Sequence, residues 1–160
     1  MTVPKDIAKK IVKLNVFEEE TAQLSADSAG YAKIINDIED GYNALNIFQR
    51  LKERVHHEKR MRRLCLYLES KMDKFKILER RRSELLYTIK AWFYRNDPEN
   101  KRVDLTDFCI AEKPEGEYQG NGEFCLQYAG FNENEYIGTY FYPIDSSRCY
   151  VAVNYTCIGE

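Results

Sequence analysis

The chain has 160 residues, 44% of them hydrophobic and 13% aromatic, with 24 Lys and Arg against 26 Asp and Glu for a net charge of −2. That length suits one compact domain, or a helical module with a small sheet, and not a two-domain enzyme; the composition excludes the disordered class, and no apolar run approaches the ~20 residues of a membrane span. The near-zero net charge conceals segregation, because residues 1–40 carry 5 basic and 8 acidic groups, residues 41–95 carry 15 and 6, and residues 96–160 carry 4 and 12.

An acidic, basic, acidic order suggests either a charged partner for the middle third or neutralisation between the parts. The N-terminus, MTVPKDIAKKIVKLNVFEEE, lacks an apolar core followed by a small-residue cleavage site, so the expectation is a cytoplasmic chain. Five cysteines, none in a C-x-x-C pair, point to reduced thiols rather than a disulfide framework or zinc ribbon.

In chain order, the first predicted helix has Thr2 as its N-cap and Pro4 in its first turn, where a missing N–H costs nothing. Ile7, Leu14, Ile35 and Tyr42 fall on one heptad row, and Phe17, Leu24, Tyr31, Ile38 and Leu45 on the other. Such a stripe must bury against another helix, in a homodimer or a folded-back hairpin. Gly30 and Gly41 each cost about 1 kcal/mol relative to Ala, which predicts a break between Ser25 and Gly30. From Tyr42 to Asp97 there is neither Gly nor Pro, so most of the stretch is predicted to be helical. Two apolar stretches lie inside it: Leu45, Phe48, Leu51 and Val55, then Leu64, Leu68, Phe75, Leu78, Leu85, Ile89 and Trp92. Between them RLKERVHHEKRMRR, residues 50–63, carries seven Lys or Arg against two Glu; either the helix continues across it or it turns there into an antiparallel hairpin, and the missing Gly and Pro favour continuity.

Beyond RNDPEN the period changes to two, predicting strands at Leu105 to Ala111, Phe124 to Ala129, Tyr136 to Tyr142 and Cys149 to Cys157. Turn signals separate them at PEG, GNG, NEN and PIDSS, too close together for crossover helices. The expected fold is therefore α+β, with a helical region over 1–95 and a four-stranded antiparallel meander over 96–160.

Motifs for chemistry are sparse. His56 and His57 point about 100° apart on a helix and cannot share one ion, and no other His completes an i, i+4 pair. Cys109, Cys125, Cys149 and Cys157 read as small buried hydrophobes. Asp104, Asp107, Glu112, Glu115, Glu117 and Glu123 could form an acid–base pair, but a solvated sheet edge needs the same residues. Gly116, Gly120 and Gly122 precede a strand and match no phosphate-cradling loop. No cofactor or metal is expected.

Two binding surfaces stand out instead. Arg50, Arg54, Lys59, Arg60, Arg62 and Arg63 could neutralise phosphates of a nucleic acid, although no recognisable nucleic-acid motif accompanies them. Tyr118, Glu123, Tyr128, Glu135, Tyr136, Tyr140 and Tyr142 form an acidic, tyrosine-bearing set suited to protein recognition, including entry into a basic channel built for nucleic acid.

The opening PKDIAKKIVKL is similar to the starts of small proteins carried by bacteriophages and mobile elements, a likeness confined to that segment. It implies a mobile-element protein and supplies no activity; a phage-encoded inhibitor of a host nucleic-acid enzyme, such as an anti-CRISPR protein, is the alternative in which the acidic tyrosine-bearing surface contacts the enzyme's basic groove. The expectation from the residues is a non-catalytic interaction protein that binds a macromolecular partner, with a nucleic-acid binder and a small cysteine or carboxylate enzyme as the alternatives.

Overall fold

The structure, a computed structural model, describes residues 1–97, 103–112, 125–132 and 135–157, and the side chains of these except 125–132, 135–137 and 157. Two helices, α1 (Lys5–Asn43) and α2 (Ile47–Asn96), precede four strands, β1 (Val103–Ala111), β2 (Cys125–Asn132), β3 (Glu135–Pro143) and β4 (Tyr150–Cys157). The class is α+β, with the helices first and an antiparallel sheet after them.

Compactness divides the chain differently from secondary-structure type. One unit comprises 1–16 with 82–160, and the other is 17–81. The boundary at 95 marks where helix gives way to strand, but the ends of both helices belong with the sheet.

In the first unit, Ile7, Ile11 and Leu14 of α1 and Ile89 and Phe93 of α2 share a buried cluster with Val103, Leu105, Phe108, Tyr142, Val151, Val153 and Tyr155 of the sheet. Phe93 sits at its centre, with ring centroids 5.0 Å from Trp92 and 5.2 Å from both Phe108 and Tyr142. Polar ties fix the elements around this apolar mass. The Tyr94 hydroxyl donates to the Val103 carbonyl at 3.0 Å and accepts from Leu105 N–H at 3.0 Å, and Asn15 Nδ2 donates to the Phe108 carbonyl at 2.7 Å.

The N-terminus is stitched to the β3–β4 connection, with Val3 N–H donating to Pro143 O at 2.8 Å and Asp145 N–H to Val3 O at 2.9 Å. This pairing draws Thr2 away from the capping position expected of it. Helix α1 begins at Lys5 instead, and the Pro4 carbonyl accepts its first hydrogen bond, from Ala8 N–H at 3.0 Å.

The sheet order is β1-β4-β3-β2, all antiparallel, which is a Greek key and not the expected meander. Strands β2, β3 and β4 follow one another, while β1 lies beside β4. Strand β1 also contains a bulge, because the register shifts between Leu105 and Asp107 and Thr106 has no partner residue. The inserted residue changes the parity of alternation. Val103, Leu105 and Phe108 all reach the core as a result, and Cys109 is turned outward and exposed. Cys109 is therefore not the small buried residue expected of it, whereas Cys149 is half-buried and packs against the core cluster.

In the second unit the heptad rows of α1 meet α2 in an antiparallel hairpin. Asp27 contacts Lys71, Tyr31 contacts Tyr67 and Tyr42 contacts His57, partners whose numbers fall as the other helix's rise. No break occurs between Ser25 and Gly30. Gly30 faces open space, so the helix bears its propensity cost inside a run of 39 residues. Thr21, which weakens the apolar row, is buried with its hydroxyl donating to the Glu18 carbonyl at 3.0 Å. The seam on α2 continues through Met61, Leu64, Leu68, Lys71, Phe75 and Leu78, each half-buried because two helices cover only one side of each other.

Candidate functional site

The closed end of the hairpin concentrates the unusual features of the second unit. Chain reversal takes place at 44–46, near the start of the stretch expected to be mostly helix. Asn46 Oδ1 accepts from Gln49 N–H at 2.9 Å and Gln49 Oε1 accepts from Asn46 N–H at 3.4 Å, a reciprocal cap that starts α2. Arg50 Nε donates to the Leu45 carbonyl at 2.9 Å, and the Tyr42 hydroxyl donates to the Arg50 carbonyl at 3.0 Å. Two turns further along α2, His57 stacks on the Tyr42 ring with centroids 3.9 Å apart and planes 6° from parallel. These contacts lock the turn without a single glycine or proline in it.

Helix α2 then uses three faces. His57, Met61 and Leu64 turn toward α1. On the outward face Ile47, Phe48, Leu51 and Val55 are 68%, 84%, 65% and 64% exposed, an apolar strip at helical spacing with no protein against it among the described residues. Lys52, Arg54, Lys59 and Arg62 flank it, all exposed. On the third face a cleft of about 590 Å³ opens between the two helices, bordered by Ile38, Tyr42 and Leu45 on one side and by Lys52, His56 and Arg60 on the other.

The basic residues singled out in the sequence are thus brought together here. Arg54, Lys59, Arg60, Arg62 and Arg63 are exposed along one continuous helix, while Arg50 is half-buried in the turn. Arg54 pairs with Glu58 at 3.1 Å, within the same helix. Among the described residues, no hydrogen bond or ion pair engages Lys59, Arg60, Arg62 or Arg63.

The acidic tyrosine set is distributed differently. Tyr118 and Glu123 lie outside the described residues; Tyr128 falls on β2, and Glu135 and Tyr136 on β3, with their side chains outside the description. Tyr140 is half-buried and stacked on Tyr155 with centroids 4.3 Å apart. Tyr142 does not reach the surface. It is 1% exposed and donates to Asp97 Oδ2 at 2.8 Å, so it belongs to the core and leaves the partner-binding set. Its position explains the change: on β3, Tyr142 shares the helix-facing side with Tyr140, the side that Phe93 occupies.

For catalysis or metal binding the described residues offer little geometry. No three His, Cys, Asp or Glu among them stand close enough to share an ion. No helix among them is long and apolar enough to cross a membrane. The strip of Phe48, Leu51 and Val55 is the site feature that sequence reasoning missed, having noted it only as one of two apolar stretches of the helix.

No protein-family model matches the chain, and neither a curated protein nor a solved structure matches it.

Proposed function

We propose that the protein is a non-catalytic interaction protein that binds an acidic, amphipathic segment of a partner protein through the strip at the hairpin end. The exposed strip carries this reading. Four large apolar side chains lie side by side on a helix whose opposite face is already committed to α1. Burying each contributes about 1.5–3 kcal/mol, which gives a strip of four enough gross energy to offset the loss of freedom on association. Anchors at positions i, i+3 and i+7 are how a helix enters an apolar groove. The flanking Lys52, Arg54, Lys59 and Arg62 favour a partner rich in Asp and Glu and repel a basic one.

The test compares wild type with Phe48→Asp/Leu51→Asp as bait in nuclease-treated lysate, alongside anionic vesicles and a labelled RNA duplex. Expected is an acidic protein that wild type retains, that the variant loses, and that binds purified wild type directly. Capture that vanishes with nuclease, binding to vesicles alone, or a retained set identical for bait and variant would each overturn the reading.

A second reading has its own observation. Lys59, Arg60, Arg62 and Arg63 project from two consecutive turns with no partner among the described residues, which is the arrangement that phosphate neutralisation uses. Salt-sensitive duplex binding, abolished by Arg60→Glu with Arg63→Glu, would favour it. Inhibition of a nucleic-acid enzyme by the acidic C-terminal third rests on residues 96–160 carrying 4 basic and 12 acidic groups. Displacement of duplex from such an enzyme by the purified protein is its test.

A further inference from the structure

The cleft on the third face of α2 is distinct from the apolar strip, and its chemistry is different. Lys52, His56 and Arg60 follow one another at i, i+4 and i+8, one helical turn apart, so their side chains line a single edge about 12 Å long. No hydrogen bond or ion pair engages any of the three among the described residues. Facing them are Ile38 and Leu45, with the stacked Tyr42 and His57 rings between. Glu53 is the single carboxylate among the described residues that line the space. Gly41 also borders it, and a Cβ there would meet nothing within 4 Å.

We infer that this cleft binds a small phosphorylated anion, its phosphates along Lys52, His56 and Arg60 and its less polar body on Ile38, Tyr42 and Leu45. The volume is in the range of ligand sites, about 300–1,000 Å³. Two cations and an imidazole against one carboxylate select an anion. The turn-by-turn spacing of about 6 Å suits a ligand with more than one phosphate, each held by charge-assisted hydrogen bonds. An apolar opposite wall selects against inorganic phosphate alone. The same chemistry could come from a free nucleoside polyphosphate or from the backbone of a short strand. The apolar wall opposite the cations favours the free molecule, whose less polar body has that surface to lie on.

Gly41 makes the proposal testable without touching a charge. Gly41→Leu fills the space from the α1 side and replaces a poor helix former with a good one, so the hairpin should fold at least as well. The experiment is amide-detected NMR titration of the full chain with ATP, with inorganic tripolyphosphate and with a short oligo(dT), repeated on Gly41→Leu, on Lys52→Glu/Arg60→Glu and on Phe48→Asp.

Expected with ATP are shifts confined to 38–60, a loss of at least about tenfold in affinity in Gly41→Leu, a larger loss in the charge variant, and no change in Phe48→Asp. Tripolyphosphate should bind more weakly than ATP, and oligo(dT) no better than ATP. Binding that survives Gly41→Leu but not the charge variant would show an open phosphate surface and overturn the cleft. Absence of shifts at millimolar ATP would overturn it as well. Because Phe48→Asp removes the strip and spares the cleft, failure here is separable from failure of the partner-binding reading.

Discussion

Two phenylalanines on α2 allow the same chemical change to be made in opposite environments. Phe93 is 0% exposed and Phe48 is 84% exposed. Truncating Phe93 to Ala removes a ring that contacts Trp92, Phe108 and Tyr142, at a point where two helices and three strands meet and cannot collapse inward. The loss should be about 3–5 kcal/mol, the transfer energy of the ring plus the cavity left behind. For a chain of this size that corresponds to a fall in Tm of roughly 6–20 °C. Phe48→Ala removes a ring already in water, so its stability should stay within about 0.5 kcal/mol of wild type. Urea unfolding followed by far-UV circular dichroism, with equal slopes for the three proteins, measures both. A cost above about 2 kcal/mol at Phe48 would mean that its ring is covered in solution, and the strip would cease to be a free docking surface. A cost below about 1 kcal/mol at Phe93 would remove the core from the place assigned to it.

Gly138 lies opposite Tyr155 in the β3–β4 register, and a Cβ there would come 2.6 Å from Tyr155 Cζ; with that ring held by Tyr140, Gly138→Ala should cost roughly 1–3 kcal/mol by thermal unfolding, and a neutral result would show that the ring can move aside. Asn46→Ala deletes one half of the reciprocal cap, so about 1 kcal/mol should be lost and amide exchange should quicken at the start of α2; unchanged exchange would show that the cap is dispensable. Tyr31 and Tyr67 share a hydrogen bond that raises the pKa of Tyr31 and, with help from Lys71, lowers that of Tyr67. In an absorbance titration one tyrosinate should therefore form below the ordinary value of about 10 and one above it, and Tyr67→Phe should abolish the early step; a single step at the ordinary value would contradict the pairing. The lowered group adds stability as pH rises through its folded pKa, whereas the raised group subtracts it between its ordinary and folded values.

Much of the architecture was legible in spacing. The rows Ile7, Leu14, Ile35, Tyr42 and Phe17, Leu24, Tyr31, Ile38 identify the face of α1 that is covered, because a 3.5-residue period has few other uses. The continuity of α2 through His56 and His57 followed from the lack of Gly and Pro, but the same argument hid the reversal at 44–46. The signal was present as Asn46 followed three residues later by Gln49, a cap that needs neither breaker. Strand positions could be read from alternation, but strand order could not. Periodicity records which side chains share a face, and nothing in it places β1 beside β4. The pattern of β1 carries one further clue, since Leu105 and Phe108 are three apart where strict alternation requires two or four, and a bulge at Thr106 is what reconciles them.

The same limitation accounts for the site. Phe48, Leu51 and Val55 have the spacing of a packed stripe, and Leu64, Leu68, Phe75 and Leu78 have it too. What separates them is phase. Successive turns of α2 from His57 onward keep one edge toward α1, whereas Phe48, Leu51 and Val55 lie on the opposite edge, beyond the reach of a helix that has ended at Asn43. A row of apolar residues out of phase with the seam of its own hairpin is not accounted for by the fold of the second unit. The basic residues follow the same geometry: Arg62 shares the outward face with the strip, and Arg60 turns toward the cleft. The start of α2, residues 47–63, therefore supplies two chemically different surfaces, an apolar one rimmed by cations and a cationic one walled by apolar side chains. Reversing Arg62 alone or Arg60 alone should consequently affect different ligands, and that separation is what a uniformly solvated basic helix would lack.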